Sequence, residues 1–189
     1  MTKIVLFASG SGTNAENIYR YFSTHPVLQV DSVWTNNPQA GVISRMTDLG
    51  CPTFVFDKES FRSGKVLADL QARQIDAIVL AGFLWLIPSD FVQAFPRRII
   101  NIHPALLPQY GGKGMYGSHV HQAVWEQGEK ETGITVHYVN EHYDEGAIIH
   151  QARVALTSND TPETIAQKVH VLEYEHFPRV IEELFGGHV

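Results

Sequence analysis

The sequence predicts an α/β fold in which helices pack on both faces of a mostly parallel sheet, with antiparallel strands added toward the C-terminus. Three observations predict it. Strand-like and helix-like segments alternate from residue 3 to residue 103. The main strand-like segments there, 3–8 and 76–82, are apolar on both alternations, as a sheet covered on both faces requires. After residue 103 the rhythm changes to two strand-like runs whose connecting loop is too short for a crossover helix.

The elements follow in order. KIVLFA (3–8) is the first strand, and a helix after the Gly-rich SGSG runs to Phe22. Thr13-x-x-Glu16 fits a capping box, which predicts a helix start near Asn14. Residues 29–35 are a strand, 41–49 a helix, 52–56 a third strand and 60–74 a longer helix. The run 76–82 is a fourth strand, and a short helix begins near Pro88, since proline is tolerated in a first helical turn. RIINIH (98–103) is the fifth strand. A Pro/Gly-rich loop (104–117) leads to a short helix over 118–127, then to an antiparallel pair over 133–139 and 147–156. The final helix starts with Thr161 as N-cap and Pro162 at the first helical position. Its apolar stripe includes Ile165, Val169 and Leu172, and Pro178 is expected to bend or break it. The pattern is a Rossmann-like three-layer α/β/α sandwich.

Bulk composition narrows the function. The 189 residues suit one domain with a large core. A net charge of −6 argues against a broad nucleic-acid surface. No apolar run approaches the roughly 20 residues a spanning helix needs. The N-terminal apolar run is too short for a signal peptide and lacks a cleavage pattern. Cys51 is the only cysteine, so no internal disulfide can form, and a buried thiol in a reducing compartment is expected. These features predict a soluble cytoplasmic protein without nucleic-acid or membrane partners. A helix face and a dimer face look alike in sequence, so monomer and homodimer both stay open.

Two stretches carry candidate chemistry. SGSGTN sits between the first strand and helix, where glycines turn N–H groups toward a ligand and a helix N-terminus attracts anions. A phosphate site is predicted. The stretch lacks Gly-Lys-Ser/Thr, so it is no P-loop. Gly10-x-Gly12-x-x-Ala15 matches a dinucleotide fingerprint with Asp31 downstream, but Asn36 and Asn37 stand where the closing acid belongs. Nicotinamide binding is therefore disfavoured. In IINIHPALLP, Asn101 and His103 are two residues apart and share one face at the carboxyl end of a strand, the ligand end of such sheets. Pro104 ends the strand there, which puts both at the rim. Two converging donors can hold a developing oxyanion. A nearby carboxylate would raise the imidazole pKa and keep it cationic. Glu141, Asp144 and Glu145 are the candidates, and spacing does not choose among them.

Other polar residues read less sharply. His119-x-His121, His137, His142 and His150 cluster in the C-terminal half. His at i and i+2 does not share a helical face, and neither His-Glu-x-x-His nor a Cys pair is present, so no metal is expected. Most of these imidazoles read as surface or partly buried. Glu173 falls on the apolar stripe of the last helix, either at its rim in a local ion pair or facing a pocket of donors.

On SGSGTN (9–14), LAGFLWLIP (80–88) with NIHPALLP (101–108), and DEG (144–146), the chain resembles the phosphoribosylglycinamide formyltransferase family, folate-dependent enzymes of purine synthesis. The likeness spans essentially the whole chain. It implies a single formyltransferase domain over 1–189, with a phosphate-binding half about 1–100 and a folate and catalytic half about 101–189. It implies small-molecule substrates, with 10-formyltetrahydrofolate as co-substrate. Asn101, His103 and Asp144 match the family's catalytic trio, which settles the choice of acid. Gly12, Thr13 and Asn14 match the phosphate loop. Leu84, Trp85, Leu86 and Ile87, with Asn140, Glu141, His142, Tyr143 and Asp144, match the folate walls. Glu173 matches an acid that binds the ribonucleotide substrate. Arg62 is the nearest candidate for a folate-tail arginine. The chain departs from the family in the longer loop 109–121, which carries an unassigned Lys113, and in Trp85, where many relatives carry arginine. Related readings are a formyltransferase for another amine, such as an amino-sugar nucleotide, and a non-catalytic nucleotide-binding module. A tRNA formyltransferase would carry a C-terminal RNA-binding domain and a basic surface, and a formyltetrahydrofolate hydrolase an extra N-terminal domain. Neither is expected here.

Overall fold

Strand β1 (Thr2–Phe7) shows how the chain builds three layers. Ile4 and Leu6 point to one face and Val5 and Phe7 to the other, and all four are fully buried. Ile4 and Leu6 join a core with helices α1 (Thr13–Phe22), α2 (Gly41–Asp48), α6 (Ser118–Glu126) and α7 (Pro162–Phe185). Val5 and Phe7 join a second, aromatic-rich core with α3 (Lys58–Arg62), α4 (Lys65–Ala72) and α5 (Ser89–Ala94). A computed structural model describes residues 1–187; the last two residues of the expected domain lie outside it.

The remaining strands are β2 (Leu28–Thr35), β3 (Thr53–Val55), β4 (Ala77–Leu80), β5 (Ile99–His103), β6 (Glu131–Tyr138) and β7 (Ile148–Ala155). They form one seven-stranded sheet in the order β3-β2-β1-β4-β5-β6-β7. Strands β1 to β5 are mutually parallel, while β6 runs antiparallel to its neighbours β5 and β7. Order reverses between β1 and β4, so a crevice opens at their carboxyl ends, where open sheets bind ligands. The expected sandwich is therefore observed.

Three local expectations are corrected. The expected helix over 60–74 is two, α3 and α4, because Gly64 adopts φ +82°, outside the helical region. The Thr13/Glu16 capping box does not form. Gly12 is the N-cap of α1, and the Glu16 carboxylate is drawn to Arg20 and Arg45. The last helix runs unbroken through Pro178. Proline removes the donor for the carbonyl four residues back, Tyr174. That oxygen instead accepts a hydrogen bond from Asn17 Nδ2 of α1 at 3.0 Å. A neighbouring helix thus supplies the missing donor. The N-terminus of α7 is as expected, with the Thr161 side chain accepting from Thr164 N–H and Pro162 in the first turn.

Candidate active site

The Gly-rich segment after β1 is tied to the sheet on both sides. Ser9 N–H donates to the Gly82 carbonyl at 3.0 Å, and Leu84 N–H donates to Ser9 Oγ at 3.1 Å. Ser9 Oγ in turn donates to Asn36 Oδ1 at 2.7 Å, so the asparagine just after β2 braces the loop. Gly12 has φ +75°, and a Cβ there would lie 2.3 Å from Val42 Cγ2. Both the turn and the packing of α2 therefore require glycine. No backbone hydrogen bond is donated by residues 10–12 among the described residues. With the open first turn of α1, they leave a set of N–H groups free for an anion.

The second half of the site is a polar corner between β5 and β6. Antiparallel register sets Asn101 opposite His137 and His103 opposite Thr135. Asn101 Nδ2 lies 3.1 Å from His137 Nε2, and His137 Nδ1 lies 2.9 Å from the Tyr138 carbonyl. The carbonyl only accepts, so His137 carries its proton on Nδ1 and accepts the Asn101 amide at Nε2. Asp144 reaches in from the β6–β7 connection. Its Oδ1 is 3.5 Å from Asn101 Nδ2 and from His137 Nε2, and its Oδ2 is 3.5 Å from His103 Nδ1. Gly112 N–H donates to Oδ2 at 3.0 Å. Asp144 itself has φ +55°, a conformation that aspartate tolerates better than most residues.

Electrostatics correct one expectation. Burial pushes the His103 pKa below the usual imidazole range, outweighing the opposite pull of Asp144 and the Tyr110 carbonyl. Above the ordinary imidazole pKa His103 is therefore neutral, not cationic. Nε2 lies 2.6 Å from the Tyr110 carbonyl and must carry the proton. Nδ1 then faces Asp144 as a bare lone pair, and 3.5 Å is long for a charge-assisted hydrogen bond. Burial raises the Asp144 pKa, but the Gly112 N–H, with His137 and His103 whenever either ring is protonated toward it, holds it below the usual carboxylate range.

One cavity of about 880 Å³ joins the two halves. Of the residues predicted for the site, Gly12, Thr13, Asn14, Leu84, Asn101, His103, Tyr143, Asp144 and Glu173 line it. Trp85, Leu86, Ile87, Asn140, Glu141, His142 and Arg62 do not. Ile87 is buried in the aromatic-rich core with Trp85 packed against it, Leu86 is exposed, and Arg62 is exposed at the end of α3. Asn140 Oδ1 accepts from His142 N–H at 2.9 Å and shapes the turn. Glu173 is buried, and its Oε2 accepts from Asn14 Nδ2 at 3.0 Å and meets His170 Nδ1 at 2.9 Å. Lys113 lies on the lining too and is the only lysine or arginine there.

Two residues were not singled out from sequence. His137 and His121 are 2% and 6% exposed, whereas His119 and His142 are exposed and His150 is half-buried, so most of the cluster is surface or partly buried as expected and these two are the exceptions. The signal for His137 was present: Thr135 and His137 are polar at i and i+2 in a buried strand, as Asn101 and His103 are. Cys51 is a buried thiol whose pKa burial raises to about 11. Among the described residues, no group of three or more His, Cys, Asp or Glu could hold a metal ion, and no helix is long and apolar enough to cross a membrane.

The formyl transferase family model matches residues 2–181. A chloroplastic phosphoribosylglycinamide formyltransferase of Arabidopsis thaliana is 40% identical over 95% of this chain, which spans 64% of that relative's length. The Bacillus subtilis phosphoribosylglycinamide formyltransferase is 36% identical over 98% of this chain and 96% of its own. The crystal structure of glycinamide ribonucleotide transformylase 1 from Geobacillus kaustophilus superposes with a TM-score of 0.89 at 34% identity, covering 98% of this chain and all of that one. With the family model matching nearly the whole chain and relatives of this identity and coverage, the chain belongs to the formyl transferase family, among the phosphoribosylglycinamide formyltransferases.

Proposed function

We propose that this protein transfers the formyl group of 10-formyltetrahydrofolate to the amine of 5'-phosphoribosylglycinamide, a step of purine synthesis. The observation that carries this reading is the position of the Asn101–His103–Asp144 corner and the Gly-rich loop on one cavity. A phosphate on the N–H groups of Gly12, Thr13 and Asn14, with Glu173 beside it, would direct the rest of the substrate toward that corner. The folate lies in the same cavity beside Leu84 and Tyr143, the two of its predicted wall residues that line it. No metal is used. The buried Cys51 fits a reducing, cytoplasmic setting.

The amine lone pair attacks the formyl carbon. The new C–N bond forms as the carbonyl π-electrons move to oxygen, and a tetrahedral oxyanion results. Asn101 Nδ2 donates to that oxyanion, and so does His103 Nε2–H once the substrate oxygen replaces the Tyr110 carbonyl. A proton gained at His103 Nδ1 would convert the Asp144 contact into an ion pair and strengthen the Nε2 donor. Collapse breaks the bond to the folate nitrogen. The amine loses one proton and that nitrogen gains one, which gives the formamide and tetrahydrofolate. Holding both substrates in one cavity supplies orientation.

The test is formyl transfer from 10-formyltetrahydrofolate to glycinamide ribonucleotide, run beside an amino-sugar nucleotide and charged tRNA. Turnover on the glycinamide substrate alone is expected. Turnover on another acceptor only, or binding without turnover on any, would overturn the reading.

A further inference from the structure

The wall of α6 presents His121 to the cavity without a partner. The residue is 6% exposed, its Nδ1 is fully buried, and neither ring nitrogen has a hydrogen bond among the described residues. Burying an imidazole in this state is unfavourable, and native proteins rarely do so without a reason. The other two buried histidines are both satisfied, His103 by Tyr110 and His137 by Tyr138 and Asn101.

A second orphan lies on the same lining. Asn14 Oδ1 is the only other buried side-chain oxygen or nitrogen without a partner among the described residues. Its amide Nδ2 is held by Glu173 Oε2, and the charge on Glu173 is felt at His121. Glu173 Oε1 takes no hydrogen bond among the described residues, because Asn14 and His170 both meet Oε2. Three unused polar positions therefore line the one cavity, on the residues His121, Asn14 and Glu173.

Their chemistry selects a ligand. Burial lowers the His121 pKa, so the ring is neutral. An orphaned buried N–H is rarer than an orphaned lone pair, which leaves Nδ1 bare and puts the proton on Nε2. The set offers one donor, His121 Nε2–H, and two acceptors, Asn14 Oδ1 and Glu173 Oε1. Groups that both give and accept hydrogen bonds match it, and vicinal sugar hydroxyls are such groups. Resting on the function proposed above, we propose that His121 is a substrate-reading residue, whose Nε2–H donates to a ribose hydroxyl oxygen of the amine substrate. It selects a sugar-bearing acceptor and takes no part in the chemical step.

The test pairs substrate and side chain. Glycinamide ribonucleotide and its 2'-deoxy and 3'-deoxy analogues are compared on wild type, His121→Phe, His121→Asn and His121→Gln. Phe keeps the bulk, Asn places an amide near Nδ1, and Gln places one near Nε2. His121→Phe should raise KM for the ribonucleotide about 10- to 100-fold, with kcat and the folate KM nearly unchanged. One deoxy analogue should lose a similar factor on wild type and little more on His121→Phe. His121→Gln should recover most of the loss and His121→Asn should not. Equal losses for both analogues on wild type and His121→Phe would overturn the assignment, as would rescue by Asn in place of Gln. Melting temperatures close to wild type confirm that the variants fold. Absent turnover in the wild type would instead count against the proposed function.

Discussion

Asn101 and His137 face each other across β5 and β6, with Nδ2 3.1 Å from Nε2. The pairing fixes the amide's orientation, because one N–H is spent on the imidazole and the second is left toward Asp144 and the cavity. His137 is therefore a positioning residue: in the proposed reaction it aims the donor without meeting the substrate. His137→Ala should lower kcat about tenfold or more, below the 100- to 1000-fold expected for losing the donor itself in Asn101→Ala. Both KM values should change little. A loss confined to KM in steady-state assays would remove His137 from this role.

Asp144 carries both a charge and an unusual backbone conformation, φ +55°. Asparagine also tolerates that conformation, so Asp144→Asn separates charge from shape. The variant should fold normally by circular dichroism, and its Oδ1 can still accept from Gly112 N–H. It should lose about 100-fold or more in kcat, since the nearest charge that stabilises an imidazolium at His103 is then gone.

Gly146 leaves no room for a side chain. A Cβ there would fall 1.6 Å from the Tyr138 carbonyl oxygen, at the pairing where Tyr138 N–H donates to the Ala147 carbonyl. Gly146→Ala should cost about 2 kcal/mol or more of stability. Because Asp144 sits two residues away, kcat should fall with it. Denaturant melts and assays on one preparation check both.

Stability should fall on acidification. The pKa values of His103 and His121 are lower in the folded chain than the ordinary 6.5. Above that pH both rings are neutral, folded or not, and cost nothing. Below it the unfolded chain binds protons that the folded one refuses, so stability drops until the folded values are reached. Asp144, also lowered, adds stability above the ordinary carboxylate pKa that is lost as pH falls through its folded value. His170, raised by Glu173, has the opposite sign: its contribution is present below 6.5 and fades as pH rises through its folded value. Melting temperature should decline between about pH 7 and 5, and less steeply in His121→Gln, which removes one refused proton.

Lys113 gives the cavity its one fixed cation among Asp144, Glu163 and Glu173. A substrate phosphate entering there should feel it. Lys113→Met should raise KM for the phosphate-bearing substrate several-fold at low salt, with the difference shrinking at high salt as screening grows. Steady-state kinetics at two ionic strengths decides this.

The local pattern alone determined the three-layer fold. Alternate residues of β1 and β4 are apolar on both faces, and only a sheet covered on both sides buries such strands. It also placed Asn101 and His103 together at a strand end, because side-chain alternation is a property of the strand itself. The resemblance, not the spacing, singled out Asp144. Tertiary structure decided the rest. His137 joins the corner only through the β5–β6 register, which depends on two segments more than 30 residues apart. The neutrality of His103 follows from how deeply the fold buries it, and Pro178 is tolerated because Asn17 of another helix reaches its orphaned carbonyl. Desolvation and donor supply are set by whatever packs against a residue, and a linear pattern holds no record of that neighbour.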